Sequence, residues 1–288
     1  MTLAVIVPTF NRSAFLKETI AAVQRQTWTD WQMIVVDDGS SDDTVEVVRA
    51  ATAGDRRIQL VGQEHRGIAA ARNRGMSALP PVDFVTFLDD DDIWDHDALE
   101  RLVEALGRHP EAVGVYGLAR RLESGRSVAR DALEERQLHR VAVEGGKMRV
   151  LPTHEPTTFE VMAFASVIMT PGCAVVRSSA LHRAGAFREP AADWDMWLRL
   201  TIQGPLVLLP EPVISYRSHP RNESTNILRN SRRKLIVHWR LLWSPVLTSA
   251  QRRTAWFAFV HYYGDLSRLA RTFARIVRRF GYGRVGAA

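Results

Sequence analysis

The chain has 288 residues, 46% of them hydrophobic, which is enough for one large domain or two small ones with a substantial core. Its single cysteine, Cys173, excludes an internal disulfide and a cysteine-based metal site, so we expect a core thiol in a protein of the reducing cytoplasm. The net charge of +6 conceals an asymmetry, because 14 Lys and Arg but only two acids follow from Arg221 onward, while the preceding part is acidic.

Strands and helices alternate over the first 105 residues. Short β-branched and aromatic runs predict strands at 3–7, 31–36, 58–61 and 84–88, and we interpret the first as a strand and not as a signal peptide. Apolar residues at helical spacing follow each strand. This alternation predicts βαβ units and a parallel sheet with helices on both faces.

The pattern is looser over residues 106–220. The polar segment 123–160 has no clear periodicity, and we expect it to be irregular. The remaining elements that we predict are strands at 113–118, 174–176 and 207–209, the last ending before Pro210, and helices at 178–184 and 194–202.

Acidic residues follow two of the predicted strands. Four consecutive aspartates, Asp89 to Asp92, end the strand at 84–88, and Asp37 and Asp38 end the strand at 31–36. Like charges about 4 Å apart repel by about 1 kcal/mol even in water, and a divalent cation with a preference for hard oxygen ligands would remove that cost. We therefore expect a metal at one cluster and a nucleobase or ribose at the other, on a common edge of the sheet. None of the predicted strands is followed by G-x-G-x-x-G, and the sequence contains no Walker phosphate loop.

Eight motifs, in order along the chain, resemble those of family 2 glycosyltransferases. They are residues 5–12 (VIVPTFNR), 26–28 (QTW), 35–42 (VVDDGSSD), 67–75 (GIAAARNRG), 87–92 (FLDDDD), 185–187 (GAF), 193–199 (DWDMWLR) and 216–219 (YRSH). The resemblance implies a GT-A fold, which is α/β and Rossmann-like with a mostly parallel central sheet. It also implies an inverting transfer of a sugar from a nucleotide-diphosphate sugar, UDP-linked as a first choice with GDP and dTDP left open.

The same resemblance assigns roles to individual residues. Asp193 is the expected catalytic base, with Asp195 as the alternative because Ala192 replaces the glutamate that precedes the base in the family. The D-x-D pair Asp89 and Asp91 would bind Mn²⁺ or Mg²⁺, with His219 as a further candidate ligand. Trp194 is a candidate contact for the acceptor sugar. The residues expected at the nucleotide are Pro8, Thr9, Phe10, Asp37, Asp38, Arg72 and Asp90.

The basic C-terminal part is expected to be a separate element. We predict a GT-A catalytic domain over residues 1–220, with a nucleotide-sugar half (1–105) and an acceptor half (106–220), followed by a basic helical extension over 221–288. Apolar residues from Leu266 to Phe280 share one helical face, so this helix either lies on an anionic membrane surface or packs on the catalytic domain. No apolar run reaches about 18 residues, so we expect no transmembrane helix, and the acidic body argues against nucleic acid as a partner.

Two other functions remain open at this stage. A nucleotidyltransferase would share the fold logic and the metal, although its Gly-rich basic signature is missing near the first strand. A degenerate, non-catalytic sugar-binding or membrane-associated module is the other alternative, and it rests on the alanine at position 192. As an enzyme, the protein would act on a glycan or lipid-linked acceptor in polysaccharide or cell-envelope synthesis, at the inner face of the plasma membrane if the extension binds lipid.

Overall fold

A computed structural model describes residues 1–123, 126–128, 137–144, 147–217 and 227–263. The strands are β1 (Leu3–Thr9), β2 (Trp31–Asp37), β3 (Ile58–Gly62), β4 (Phe84–Phe87), β5 (Ile93–Trp94), β6 (Gly114–Glu123), β7 (Arg126–Val128), β8 (Arg140–Glu144), β9 (Lys147–Leu151), β10 (Ala174–Arg177) and β11 (Leu206–Arg217). The helices are α1 (Ser13–Gln24), α2 (Thr44–Gly54), α3 (Ile68–Ser77), α4 (Ala98–Gly107), α5 (Phe159–Met162), α6 (Ser178–Ala184), α7 (Ala192–Thr201), α8 (Ile227–Leu242) and α9 (Ser249–Tyr263).

The first half of the chain forms the parallel core of the main sheet. Strands lie in the order β3-β2-β1-β4, and Leu3 pairs with both Trp31 and Phe84. All seven residues of β1 are buried, as expected for a central parallel strand covered by helices on both faces. Because these strands run in the same direction, their carboxyl ends meet at one edge of the sheet.

The second half extends this sheet with strands of both directions. β10 lies antiparallel between β4 and β6, β11 runs parallel to β6, and the short β5 closes the edge as an antiparallel partner of β11. The α/β architecture with a mostly parallel central sheet is confirmed. Cys173 lies in the core just before β10 and is fully buried, as predicted.

The prediction that a strand ends before Pro210 is wrong. β11 continues to Arg217, and its pairing with β6 shifts register between Leu208 and Pro212 and again between Pro212 and Ile214. A proline has no N–H for a strand ladder, and a register shift is a place where that donor is not needed. The longer strand carries Arg217 to the edge of the sheet where the acidic clusters lie.

The expected irregular segment at 123–160 contains regular structure in its described part. β8 and β9 form an antiparallel hairpin in which Val141 pairs with Val150, and β7 pairs with β6. Arg140, the first residue of β8, is fully buried. It donates hydrogen bonds to the carbonyl of Glu155 at 2.8 Å and to the hydroxyl of Thr157 at 2.9 Å. The sequence of this segment resembles that of a loop because it is polar, but polar side chains such as Arg140 find their hydrogen-bond partners inside the fold.

The C-terminal helices α8 and α9 form a hairpin that packs on the body of the protein. His238 of α8 lies 3.1 Å from the carbonyl oxygen of Ala163, and its ring meets that of Trp194 edge-on with centroids 4.9 Å apart. The amphipathic helix predicted around 266–280 lies outside the described residues. None of the helices within the described ranges combines the length and the hydropathy of a membrane-crossing segment.

Candidate active site

A cavity of about 520 Å³ opens at the edge of the sheet where β1, β2 and β4 end. It is lined from the first half of the chain by Pro8, Thr9, Phe10, Arg12, Asp38, His65, Arg72, Asp89, Asp90 and Asp91. The second half contributes Thr170, Glu189, Ala192, Asp193, Tyr216 and Arg233. The structure therefore brings both predicted acidic clusters and the predicted base to one cavity.

The four aspartates after β4 differ in their surroundings. The Thr19 hydroxyl of α1 lies 3.0 Å from the carbonyl oxygens of Asp90 and Asp92 and holds the turn in place. Asp92 is fully buried and accepts hydrogen bonds from the Thr170 hydroxyl at 2.7 Å and the Arg217 N–H at 3.3 Å. Burial, reinforced by the neighbouring aspartates, raises the pKa of Asp92 well above its ordinary value. Asp92 is thus part of the support beneath the site.

Arg12 neutralises the next part of the cluster. Its guanidinium lies 3.0 Å from Asp90 and also contacts Asp91. Burial raises the pKa of Asp90 to about 7, against the opposing attraction of Arg12. Burial alone would lower the pKa of Arg12, but Asp90 and Asp91 together raise it. Full ionisation of the cluster is therefore unfavourable without further positive charge, which a bound cation would supply.

Arg72 connects the acidic cluster to the predicted base. This α3 side chain is only 1% exposed, lies 2.8 Å from Asp89 and is ion-paired with Asp193. Burial would lower the pKa of the guanidinium, but Asp193 and Asp89 raise it. Burial raises the pKa of Asp89, and Asp193 and Asp91 add to this effect while Arg72 opposes it.

Asp193 stands in the first turn of α7, with 43% of its side chain exposed toward the cavity. An acid in the first turn of a helix is stabilised as an anion by the helix dipole. The alternative, Asp195, is buried on another side of the helix, where it is paired with Arg188 and Arg199, both at 2.8 Å. Asp195 does not line the cavity, so the geometry favours Asp193 over Asp195 as the base.

Trp194 is also placed away from the cavity. Its indole is 5% exposed and donates a hydrogen bond of 2.7 Å to the carbonyl of Met162. Residues two apart on a helix, here Asp193 and Asp195, point to nearly opposite sides. Trp194 lies between them in the sequence, and its side chain turns toward the body of the protein. Trp194 therefore does not line the cavity in this structure, and its contact with an acceptor sugar stays a prediction.

The other end of the cavity is built around Asp38. Its carboxylate accepts three hydrogen bonds from the loop between β3 and α3, from the Gln63 side chain at 2.6 Å and from the N–H groups of Arg66 at 2.9 Å and Gly67 at 2.8 Å. The Nδ1 atom of His65, in the same loop, lies 2.9 Å from the carboxylate. Gly67 has a φ of 87°, which favours glycine at this turn into α3. Asp38 thus fixes the loop that faces the cavity.

An aromatic pair lies beside Asp38. The rings of Phe10 and His65 stack with centroids 4.0 Å apart and an angle of 25° between them, and both rings are partly exposed at the cavity. Pro8 and Thr9 line the adjoining wall. Asp37 does not line the cavity, because its carboxylate turns back to accept the Ser40 N–H at 3.1 Å. Its predicted contact with a nucleotide does not fit this position.

The residues around Asp89 and Asp91 fit a divalent cation of the kind that binds together with a diphosphate. Among the described residues no three His, Cys, Asp or Glu side chains converge as in a closed metal site. Mg²⁺ commonly takes only one or two carboxylates from the protein, because substrate phosphates and waters complete its shell. Asp89 and Asp91 supply hard oxygen donors at the cavity wall. The candidate ligand His219 lies outside the described residues.

Sequence reasoning missed several residues of this site. Arg12 lies within the motif at 5–12, and a basic residue just after a strand end could have indicated a partner for the aspartates. His65 follows β3 and carried no signal beyond its position in a loop. Thr170 and Arg217 reach Asp92 only through the folding of distant segments. Arg217 lies within the motif at 216–219, but that motif did not indicate its contact with Asp92.

Comparison with known proteins identifies the family of the chain. A family model described as glycosyl transferase family 2 matches residues 4–184. A putative teichuronic acid biosynthesis glycosyltransferase, TuaG of Bacillus subtilis, is 32% identical over 123 residues, which cover 42% of this chain and 48% of that protein. The GalNAc(5)-diNAcBac-PP-undecaprenol beta-1,3-glucosyltransferase of Campylobacter jejuni is 42% identical over 104 residues, or 35% of this chain and 33% of that protein. The matched part is thus less than half the length of either relative.

Solved structures share the fold over nearly the whole chain. TarS 1–349 of S. aureus in complex with UDP-GlcNAc superposes with a TM-score of 0.70 at 17% identity, covering 93% of this chain and 74% of that chain. The mannosyltransferase PcManGT of Pyrobaculum calidifontis in complex with GDP-Man and Mn²⁺ gives a TM-score of 0.69 at 18% identity, covering 98% and 76%. At these identities the likeness establishes the GT-A fold.

Proposed function

Because the chain belongs to glycosyl transferase family 2, we propose that it transfers a sugar from a nucleotide-diphosphate sugar to a hydroxyl group of an acceptor, with inversion at the anomeric carbon. The observation that carries this proposal is the cavity in which Arg72 joins Asp89 of the acidic cluster to Asp193. In such a reaction, the site that binds the diphosphate must lie close to the carboxylate that deprotonates the acceptor hydroxyl. No protein nucleophile is needed when the acceptor attacks in line.

The nucleotide would occupy the end of the cavity near Asp38. The partners of that carboxylate named above come from the loop between β3 and α3, and His65, 57% exposed, is the one that a base can displace at least cost. Phe10 offers an aromatic surface for stacking beside it. UDP is the donor nucleotide we propose, since it is the nucleotide bound by TarS, and GDP is the alternative that PcManGT represents.

The acceptor hydroxyl would be deprotonated by Asp193. A sugar hydroxyl has a pKa far above neutrality, so it needs a carboxylate within about 2.6–3.2 Å as attack proceeds. Arg72 holds the Asp193 carboxylate in place through their ion pair, and the exposed part of the carboxylate leaves room for an acceptor. Arg72 and Arg233, both at the cavity, would offset the negative charge that develops on the leaving diphosphate.

Asp89 and Asp91 would hold a divalent cation, Mn²⁺ or Mg²⁺. When bound, the cation supplies Lewis-acid neutralisation of the leaving diphosphate. The role of the chain here is to present the carboxylates at the cavity wall, with Asp90 at the nucleotide side, and to move Arg12 away from Asp91. The acceptor we propose is a glycan or a lipid-linked glycan of the cell envelope, by analogy with the two relatives named above. Residues 106–220 would form most of the acceptor half.

The test is a thermal-shift series with UDP-, GDP- and dTDP-sugars, each with Mn²⁺ and with EDTA. A donor at about 100 times its Kd should stabilise the protein by about 2.7 kcal/mol, which is a visible shift for a chain of this size. We expect a shift with one nucleotide that disappears in EDTA and in Asp91→Ala. A shift that persists unchanged in Asp91→Ala would overturn the metal assignment, and no shift with any donor would overturn the donor site.

A non-catalytic module is the second candidate function, and Ala192 at the cavity is the observation that favours it. Catalysis and binding separate in Asp193→Asn, which keeps the shape of the side chain. We expect this variant to retain the donor-induced thermal shift and to lose about 10²–10⁴-fold in the rate of metal-dependent donor hydrolysis or transfer. Donor binding without turnover in the wild-type protein would support the non-catalytic module. Release of pyrophosphate from a sugar phosphate and a nucleoside triphosphate would instead indicate a nucleotidyltransferase.

A further inference from the structure

Three exposed tryptophans surround one groove on the C-terminal hairpin, far along the chain from the acidic cluster. Trp239 of α8, Trp243 just after α8 and Trp256 of α9 are 55%, 71% and 58% exposed, respectively. They line a groove of about 1480 Å³ between the two helices, together with Leu242, Phe257 and Val260. Large aromatic side chains gathered at one exposed apolar surface indicate a partner that covers them.

The hairpin presents these side chains on a fixed support. Val237, Leu241 and Ala255 are buried in the main core, and the ring of His238 is held against the body. Arg252 donates to the carbonyls of Leu242 and Ser244, at 2.7 and 3.0 Å, and so fixes the connection between the helices. The tryptophans therefore face outward because their own helices bury the opposite side.

The charge of this surface selects the kind of partner. Residues 227–263 contain seven Lys and Arg and no acid, and Lys234, Arg240 and Arg253 are among the exposed ones. One acid, Glu160, reaches the groove from α5, where it accepts a hydrogen bond from Thr158 at 2.7 Å. Tryptophan prefers the boundary between lipid headgroups and acyl chains, and arginine and lysine are attracted to anionic headgroups.

From this combination we infer that the α8–α9 hairpin docks on an anionic phospholipid bilayer, with Trp239, Trp243 and Trp256 inserted at the headgroup boundary. α8 also contributes Arg233 to the candidate active site, less than two helical turns before Trp239. If the proposed function holds, docking at this groove brings the cavity near the surface on which a lipid-linked acceptor is presented. The docking itself does not depend on transfer.

The experiment is sedimentation of the full chain with vesicles, without donor or acceptor. Vesicles of phosphatidylcholine alone are compared with vesicles containing 30% phosphatidylglycerol, at low and at high salt (about 0.05 and 0.5 M), where screening differs strongly. We expect binding to the anionic vesicles that weakens with salt, and quenching of tryptophan fluorescence by lipids brominated on the acyl chain. The triple variant Trp239→Ser, Trp243→Ser, Trp256→Ser should lose at least tenfold in vesicle affinity together with the quenching.

A charge variant and a matched control distinguish vesicle binding through this surface from binding through the overall positive charge of the protein. Arg240→Gln with Arg253→Gln should weaken binding about fivefold per arginine. Arg49→Gln with Arg108→Gln removes two arginines that are each 70% exposed elsewhere, and this control should bind as the wild type does. Unchanged circular dichroism and melting would show that each variant is folded.

Three results would overturn the inference. The first is full vesicle binding by the triple tryptophan variant, which would assign binding to residues outside the hairpin. The second is equal binding to neutral and anionic vesicles. The third is that the wild type does not bind vesicles but forms a dimer in solution, and that the triple tryptophan variant is monomeric. This result would identify a second copy of the chain as the occupant of the groove.

Discussion

Arg72 of α3 is ion-paired with Asp193 of α7, which lies 121 residues further along the chain. The same guanidinium lies 2.8 Å from Asp89, so one buried cation positions both the proposed base and the proposed metal ligand. A planar guanidinium can hold two carboxylates at fixed angles, and an ammonium group cannot. The spacing of the two catalytic parts therefore depends on this single side chain.

Replacing Arg72 by lysine tests that dependence. Arg72→Lys keeps the charge but loses the fork that spans the two carboxylates, and we expect kcat to fall about 10²-fold, as for a misplaced catalytic group. Arg74→Lys, at an exposed position of the same helix, is the matched control and should leave kcat unchanged. Steady-state kinetics of both variants provides the measurement, and an unaffected kcat in Arg72→Lys would show that the bridge has no part in catalysis.

The stacking surface at Phe10 should matter for donor affinity and not for the chemical step. Stacking of a base on an aromatic ring contributes about 1–3 kcal/mol, so Phe10→Ala should weaken donor binding roughly 5–100-fold. Phe10→Tyr retains the ring and should bind the donor normally, whereas Phe10→Leu retains only the apolar bulk. Isothermal titration with the nucleotide identified by the thermal-shift series measures this difference. Equal affinity in all three variants would contradict a base at this position.

Arg12 would compete with the proposed metal ion for Asp91, because its guanidinium contacts that carboxylate and lies 3.0 Å from Asp90. Arg12→Gln removes the internal cation, and we expect the affinity of the donor-free protein for Mn²⁺ to rise about tenfold, equivalent to about 1.4 kcal/mol. Electron paramagnetic resonance of free Mn²⁺ measures this without any turnover. Arg25→Gln, an exposed site just after α1, is the control. Weaker Mn²⁺ binding by Arg12→Gln would mean that Arg12 organises the site instead of occupying it.

The stability of the hairpin's attachment should depend on pH through His238. Burial lowers the pKa of this histidine, so the unfolded chain takes up a proton more readily than the folded one. Stability is therefore fully present above the ordinary histidine pKa of about 6.5 and is lost as the pH falls below it. Lys234, Tyr262 and Tyr263 are the ionisable neighbours that face the ring.

Melting temperatures between pH 7.5 and 5.5 check this expectation. His238→Gln can still donate toward Ala163 but cannot titrate, so its melting temperature should fall less on acidification than that of the wild type. His96→Gln, at an exposed position, should retain the wild-type pH dependence. Identical curves for His238→Gln and the wild type would remove His238 as the source.

The positions that could be predicted from the sequence are those fixed by the ends of strands. Asp38, Asp89 and Asp91 follow buried parallel strands, and the direction of such strands places them at one edge. The orientation of a side chain within its element was harder to predict. Asp37 and Asp38 are neighbours at the end of β2 and point in different directions, so only Asp38 reaches the cavity.

The orientation of α7 explains why Asp193, and not Asp195, lines the cavity. Asp193 and Asp195 are about 200° apart around α7, so the choice between them depends on which face of the helix packs on the body. That face is set by Trp194 and by the ion pairs of Asp195, which are tertiary contacts. Thr170 and Arg217 could not be foreseen for a similar reason, because each meets Asp92 across more than 75 residues of sequence.

The buried thiol of Cys173 is a built-in chemical probe of the opening of the core. Burial raises the pKa of this thiol above its ordinary value, and no part of the side chain is exposed. A reagent such as a disulfide of thionitrobenzoate reacts with the thiolate, so modification has to wait for the core to open. The chain has one cysteine, so each molecule is modified once. At reagent concentrations where modification is faster than reclosing, the rate of modification gives the lifetime of the closed state in unlabelled wild-type protein.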